Sequence, residues 1–222
     1  MAYRYDKGSG NNQGGSEVIF IGDIHGRFKY YLELIKNMTH TPTIQVGDMG
    51  MGFPTYATPD WNGEHYFIRG NHDNPAVCKA HPKYLGEYGY NEKLDVFYAG
   101  GADSIDKMWR TEFLTWWRDE QMDYRTFDTK VIPLYEKVRP RVVVTHTCPE
   151  TVRVKLLEKD FTGWEDVARE NGPPVTELAL QTMFEVHQPD LWVFGHYHKA
   201  WKKRMDGTLF VCVNSMTTFE TE

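Results

Sequence analysis

A chain of 222 residues with 41% hydrophobic and 25% charged side chains carries enough apolar material for one packed domain, which excludes a peptide-sized scaffold and disorder throughout. Its longest apolar runs, of the Val142–Val144 and Leu191–Phe194 kind, fall far short of the ~20 residues that span a bilayer, so no membrane is expected as a partner. Lys and Arg number 25 against 31 Asp and Glu, a net charge of -6; with no basic run, this argues against polymeric nucleic acid as a substrate, although clustered carboxylates could still hold cations in a locally positive site.

Residues 1–16 read as a flexible tail, because KGSGNNQGGS at 7–16 is glycine, serine and amide, and 17–222 read as one domain. The N-terminus shows no apolar stretch of the secretory kind, and three scattered cysteines, Cys78, Cys148 and Cys212, suit free thiols, so the cytoplasm is the expected location. Glu17–Ile21 is a β-branched and aromatic run that predicts a strand ending at Gly22-Asp23. Phe28, Tyr31, Leu32 and Ile35 follow at helical spacing. Thr43–Val46 and His65–Ile68 repeat the pattern of a strand leading into a polar cluster, with a glycine- and proline-bearing surface loop, Met51–Trp61, between them.

From about Tyr84 to Lys137 the chain is rich in Trp, Tyr and charge and predicts an insertion of helices with an aromatic face. Trp109, Trp116, Trp117 and Tyr124 would either pack that insertion or cap the site and stack a nucleobase. Beyond it, Arg141–Thr145, Leu191–Phe194 and Thr208–Val213 predict strands, and Val175–His187 a helix opened by Pro173-Pro174. Alternating strands and helices argue for an α/β architecture, in which loops at the carboxyl ends of strands host the ligand.

Five of those strand ends carry ligand chemistry: Asp23-x-His25, Gly47-Asp48, Gly70-Asn71-His72-Asp73, His146, and Gly195-His196-x-His198. On an extended segment the two side chains of an x-spaced pair share a side, so one segment can offer two ligands. Imidazole, carboxylate and amide oxygen suit Mn²⁺, Fe or Zn²⁺ better than a thiolate-selective metal, and the set is long enough for two ions. Any one pair alone is an ordinary strand end; the conjunction of five points to a metal site. His40, His65, His81, His187 and Cys148 fall outside the clusters and read as surface or core residues.

In order and content these motifs resemble the calcineurin-like metallophosphoesterases. Gly100–Asp106 and Trp116-Trp117 are similar to small single-domain bacterial and phage members. The resemblance implies a four-layer αββα sandwich bearing the helical, aromatic-rich insertion. It also implies two divalent ions, Mn first with Fe, Zn or Ni as alternatives: Asp23, His25 and His198 on one, Asn71, His146 and His196 on the other, and Asp48 bridging. The expected reaction is hydrolysis of phosphodiesters or small phosphomonoesters, nucleotides among them, by a metal-bridging hydroxide, with His72 donating a proton to the leaving alkoxide.

Asp73 is expected to orient His72, and Arg27 and Arg69 either bind phosphate oxygens or form salt bridges. The second motif, Gly47-Asp48-Met49-Gly50-Met51, lacks the phosphate-binding arginine of the phosphoprotein-phosphatase branch, so serine/threonine protein phosphatase stands as the alternative. A non-catalytic scaffold would be expected to have lost ligands or His72, and none is lost.

Overall fold

The computed structural model describes residues 3–5, 17–55, 57–158 and 174–221. Two mixed sheets face each other. The first runs β1 (Tyr3–Tyr5), β11 (Thr218–Thr221), β2 (Ile19–Ile21), β3 (Thr43–Gln45) and β4 (His65–Phe67). The second runs β5 (Tyr88–Asn91), β6 (Val96–Ala99), β7 (Val142–Thr145), β8 (Leu191–Phe194), β10 (Thr208–Cys212) and β9 (Trp201–Met205).

In the first sheet β2, β3 and β4 are parallel, and in the second so are β6, β7, β8 and β10, so carboxyl ends gather at one end of each sheet. Such strands are covered on both faces, which is why Leu191–Phe194 is apolar at every position and wholly buried.

Between the sheets lie Phe20, Ile44, Val46 and Ile68 of one and Val96, Val144, Val193 and Val211 of the other. On the outer face of the first sheet, Ile21 and Phe67 pack on Phe28, Tyr31 and Ile35 of α1 (Phe28–Lys36) and Cys78 of α2 (Pro75–Ala80). On the outer face of the second, Phe97, Val143, Trp192 and Phe210 meet three helical regions. One is α3 (Tyr124–Thr126) continued through a π-helical turn, Phe127–Val131, into α4 (Ile132–Val138); the others are α5 (Glu150–Leu157) and α6 (Val175–Val186). The layers are therefore αββα, as the resemblance implied.

Local chemistry sets several boundaries. The Asn74 side chain accepts hydrogen bonds from the amides of Ala76 and Val77, and Pro75 opens α2. Arg139, in the left-handed region at φ 48°, ends α4. The exposed cations Lys202, Lys203 and Arg204 lie on β9, an outermost strand, where charge discourages edge pairing.

The segment read as a helical insertion over 84–137 begins otherwise. Tyr88–Asn91 and Val96–Ala99 form an antiparallel hairpin, turned by Asp95 at φ 54°, and β6 pairs in parallel with β7. Tyr88 and Tyr90 alternate as in a strand, but Phe97 and Tyr98 are adjacent, and pairing with a strand more than forty residues later leaves no local trace in the sequence. Helix returns at Lys107–Trp109 and over 124–138. Of the four aromatics singled out there, Trp117 is buried and Trp116 half-buried, while Trp109 and Tyr124 are exposed.

At the N-terminus, Tyr3–Tyr5 of the expected tail pairs with β11, and 6–16 lies outside the described residues. All three cysteines are free and buried. No helix among the described residues is long and apolar enough to cross a membrane.

Candidate functional site

Backbone bonds tie neighbouring strand-end loops together in pairs, and side-chain bonds to Asp48 and Asp73 bring in the third. Ile24 and His25 donate to the Asp48 carbonyl at 3.0 and 2.8 Å, Gly26 to Met49 at 2.8 Å, Gly195 to His146 at 3.0 Å and Met216 to Asp23 at 3.1 Å. His25, Asp48, His196 and His198 all sit in the left-handed region, at φ 48°, 58°, 66° and 52°. The extended-strand argument for the x-spaced pairs therefore does not hold: those side chains converge because the chain kinks past the strand ends. Four such residues in one site is local strain of the kind held where function needs it. Space matters as well, since a Cβ on Gly70 would collide with Asp48 Oδ1 and lie 2.6 Å from His146 Nε2.

Two groups of donor atoms result, each within 4.8 Å: Asp23, His25, Asp48 and His198 in one, and Asp48, His146 and His196 in the other. Asp48 belongs to both. Its Oδ2 lies 3.8 Å from His25 Nε2 and its Oδ1 3.2 Å from His146 Nε2. Asn71 Oδ1 joins the second group at 3.2 Å from His146 Nε2. His146 Nδ1 donates to the Val46 carbonyl at 2.8 Å, which turns Nε2 toward the site. In the first group His198 Nε2 is 3.1 Å from Asp23 Oδ2 and 2.8 Å from His25 Nε2.

This donor set fits divalent cations. Asp23 and Asp48 are buried acids that draw two of the imidazoles around them, His146 and His198, toward holding protons in a cation's place, while burial and the neighbouring His146 push His196 the other way, down to about 3. Burial opposes charge on His146, yet Asp48 overrides it and raises the pKa to about 9. Hydrogen bonding to Asp23 likewise raises His198. Asp48, despite its own burial, is held well below the carboxylate range by His146, His72 and His25.

His72 stands beside both groups, its amide donating to Asp48 Oδ1 at 2.7 Å and its ring edge-on to His25 at 4.9 Å. Phe53 stacks on the ring at 6.1 Å and is backed edge-on by Trp117 at 5.4 Å. Nε2 takes a hydrogen bond from Arg110 Nη2. The Arg110 guanidinium is fixed by Asp106, with Nε to Oδ1 at 2.7 Å and Nη2 to Oδ2 at 2.8 Å, and by the Thr115 carbonyl at 3.2 Å. Burial, with Arg110 and His25 beside it, pushes His72 down to about 4 against the pull of Asp48.

Three expected residues have other partners. Asp73 does not orient His72: its Oδ1 accepts the amides of Gly50 and Met51 at 2.8 and 2.9 Å, and its Oδ2 those of Gly70 and Met49 at 2.8 and 3.2 Å. It is a buried staple between the second and third motifs. Arg69 is buried with Nε and Nη2 on Glu87 Oε2, at 2.9 and 2.7 Å, and Nη1 on the Glu120 carbonyl, so the salt-bridge alternative describes it and no phosphate can reach it. Arg27 is exposed next to the first motif and donates to Met216 Sδ at 3.0 Å.

The residues missed were Phe53, Arg110, Ser104 and Glu120. Ser104 and Asp106 lie in the Gly100–Asp106 stretch that carried the resemblance, but nothing in their spacing ties them to Asn71 and His72.

The αββα sandwich thus gathers a set of candidate metal donors at the carboxyl ends of its strands. The sequence model of the calcineurin-like phosphoesterases matches residues 16–200; the chain belongs to that family and is a hydrolase acting on phosphate esters. No curated protein matches it.

Among solved structures, it is similar to a predicted phosphoesterase of Streptococcus pneumoniae TIGR4, with 14% identity over 91% of this chain and 74% of that one and a TM-score of 0.39. It is also similar to a protein assigned as a 5'-nucleotidase of Staphylococcus aureus, in complex with α-ketoglutarate (14% identity, 90% of this chain and 49% of that one, TM-score 0.48). A third is the anchor protein of the inner membrane complex of Plasmodium (10% identity, 90% of this chain and 71% of that one, TM-score 0.47).

Proposed function

We propose that Asp23, His25 and His198 hold one divalent ion and Asn71, His146 and His196 a second, with Asp48 shared, and that this centre hydrolyses phosphodiesters or small phosphomonoesters, nucleotides among them. The observation that carries the reading is the Asp48 carboxylate, which turns one oxygen to each donor group. Ions bound there would neutralise phosphoryl oxygens and make a water acidic enough to attack at neutral pH.

The chain's own groups do the rest. His72 is the proton donor to the leaving oxygen. Its ring plane is set by Phe53 behind it and its Nε2 is held by Arg110. A phosphate drawn against His72 would take the Arg110 guanidinium onto its own oxygen and free Nε2, and its negative charge would favour a proton there, so the proton to be donated is taken up at Nε2 as the substrate arrives. Arg110 lies where it can meet a non-bridging oxygen of that phosphate, the task for which Arg27 and Arg69 were candidates.

The test is the ratio of hydrolysis rates for an aryl phosphodiester and the matching aryl phosphomonoester on Mn²⁺-loaded protein. His72→Asn should keep its metal and lose about 10²–10⁴-fold in turnover. Equal turnover in wild type and variant would remove His72 from the mechanism, and the ratio itself decides between diester and monoester.

A further inference from the structure

Asn71 can serve a cation only through Oδ1, and an amide turned over would present its NH₂ instead. A buried chain of hydrogen bonds settles which end faces the site. Asn71 Nδ2 donates to Ser104 Oγ at 3.1 Å. Ser104 Oγ donates to Glu120 Oε2 at 2.6 Å, and the Ser104 amide donates to Glu120 Oε1 at 2.9 Å. Asn71, Ser104 and Glu120 are respectively 3%, 0% and 2% exposed, so water does not compete. Burial raises the pKa of Glu120, and the hydrogen bonds its two oxygens accept from the Ser104 hydroxyl and amide oppose that rise; as a carboxylate Glu120 only accepts, and the single hydroxyl proton of Ser104 then points at it. The hydroxyl is then left as an acceptor, and it can take only the amide NH₂ of Asn71. Arg69 Nη1, on the Glu120 carbonyl, and the Gly101 amide, on the Arg69 carbonyl at 2.8 Å, pin the far end of the chain to the third motif.

We infer that Glu120, acting through Ser104, is a positioning residue that fixes the amide of Asn71 with its oxygen toward the second ion, so that this stretch outside the five motifs controls occupancy of half of the metal centre. The inference rests on the two-ion reading above. It makes a polarity claim that packing alone does not. Glu120→Gln conserves shape but introduces an NH₂ that donates to Ser104; the hydroxyl proton can then turn to Asn71 Oδ1 and reverse the amide.

The experiment is calorimetric titration of metal-free full chain with Mn²⁺, with thermal melting as the check on folding. Wild type should bind two ions. Glu120→Gln should keep one and lose about 10–100-fold in affinity for the other, the usual size of such an effect. Ser104→Ala should cost less than the shape-conserving Glu120→Gln, because it removes the bias without reversing it. The double variant should match Ser104→Ala alone.

A purely structural role predicts the opposite order, with glutamine tolerated and alanine worse. Two ions bound by Glu120→Gln as tightly as by wild type would overturn the inference while leaving the two-ion reading intact; a wild type that holds one ion overturns both. Should Glu120→Gln fail to fold, Ser104→Ala decides, since unchanged affinity for both ions there overturns the relay.

Discussion

The two halves of the site use similar donors in different settings. Around His146 the site is mostly enclosed: the ring is 0% exposed, Val46 fixes its tautomer, Asn71 is held from behind by Ser104 and Glu120, and only His196 is partly open. Around His198 the rim is open. That ring is 49% exposed and His25 28%, and their Nε2 atoms face each other at 2.8 Å beside Asp23. An enclosed, preorganised half shields its ion, whereas the open half leaves its ion within reach of water and chelator. The enclosed half should therefore retain its ion while the open half exchanges, and the site should empty in two stages under a chelator.

The most drastic way to break that asymmetry is to remove what the halves share. Asp48→Asn takes a carboxylate from both donor groups and should lower kcat/KM on the order of 10³-fold, comparable to losing a main electrostatic contributor. Metal titration on the same protein would show both ions weakened. If only the enclosed-half ion suffered, Asp48 would not be shared.

A more selective break is Gly70→Ala, whose methyl would run into Asp48 Oδ1 and His146 Nε2. It should cost ~1–3 kcal/mol of stability as an overpacked site does, and release the enclosed-half ion first. His198→Ala, at the open rim, should release the other ion and barely move the melting temperature. An equal thermal cost for both would show that the halves are equally integral to the fold.

The same contrast explains what could be read from the sequence. The five clusters were legible because each is a short local string at the end of a buried apolar run, as with Val143-Val144-Thr145-His146 or Leu191–Phe194 before Gly195-His196. Their supports were not, because each depends on a distant contact. Glu120 and Arg110 reach the third motif from 49 and 38 residues away, and no local periodicity encodes that. Asp73 was misread for a related reason. Adjacency to His72 suggests an orienting carboxylate, but the left-handed turn at Asp48 leaves three backbone amides, those of Met49, Gly50 and Met51, pointing at Asp73 beside that of Gly70, and a buried acid goes where unpaired amides are. The β5–β6 hairpin is not legible locally, because aromatic richness suits helix and strand alike and the strand that β6 pairs with lies more than forty residues on.

A further expected effect is a pH dependence that differs between the metal-free and metal-loaded protein, and its sign follows from the enclosed half. Burial works against charge on His146, but Asp48 raises its pKa to about 9, against ~6.5 when unfolded. A group whose folded pKa is raised contributes stability that is fully present below the unfolded value and lost as pH climbs through the folded one. The metal-free protein should therefore lose melting temperature between about pH 6.5 and 9. His198, raised by Asp23, adds in the same direction but less, because its ring is half in solvent. Asp48 itself, held low, contributes on the acid side and outside this window. Loading with metal replaces the proton on His146 by a cation, so the slope should flatten and the uptake should release protons, measurable by calorimetry in buffers of different ionisation enthalpy. His198→Ala should keep most of the metal-free slope and Asp48→Asn should abolish it. Identical slopes with and without metal would mean that His146 carries no proton in the empty site, and that the enclosed half is held by its hydrogen bonds alone.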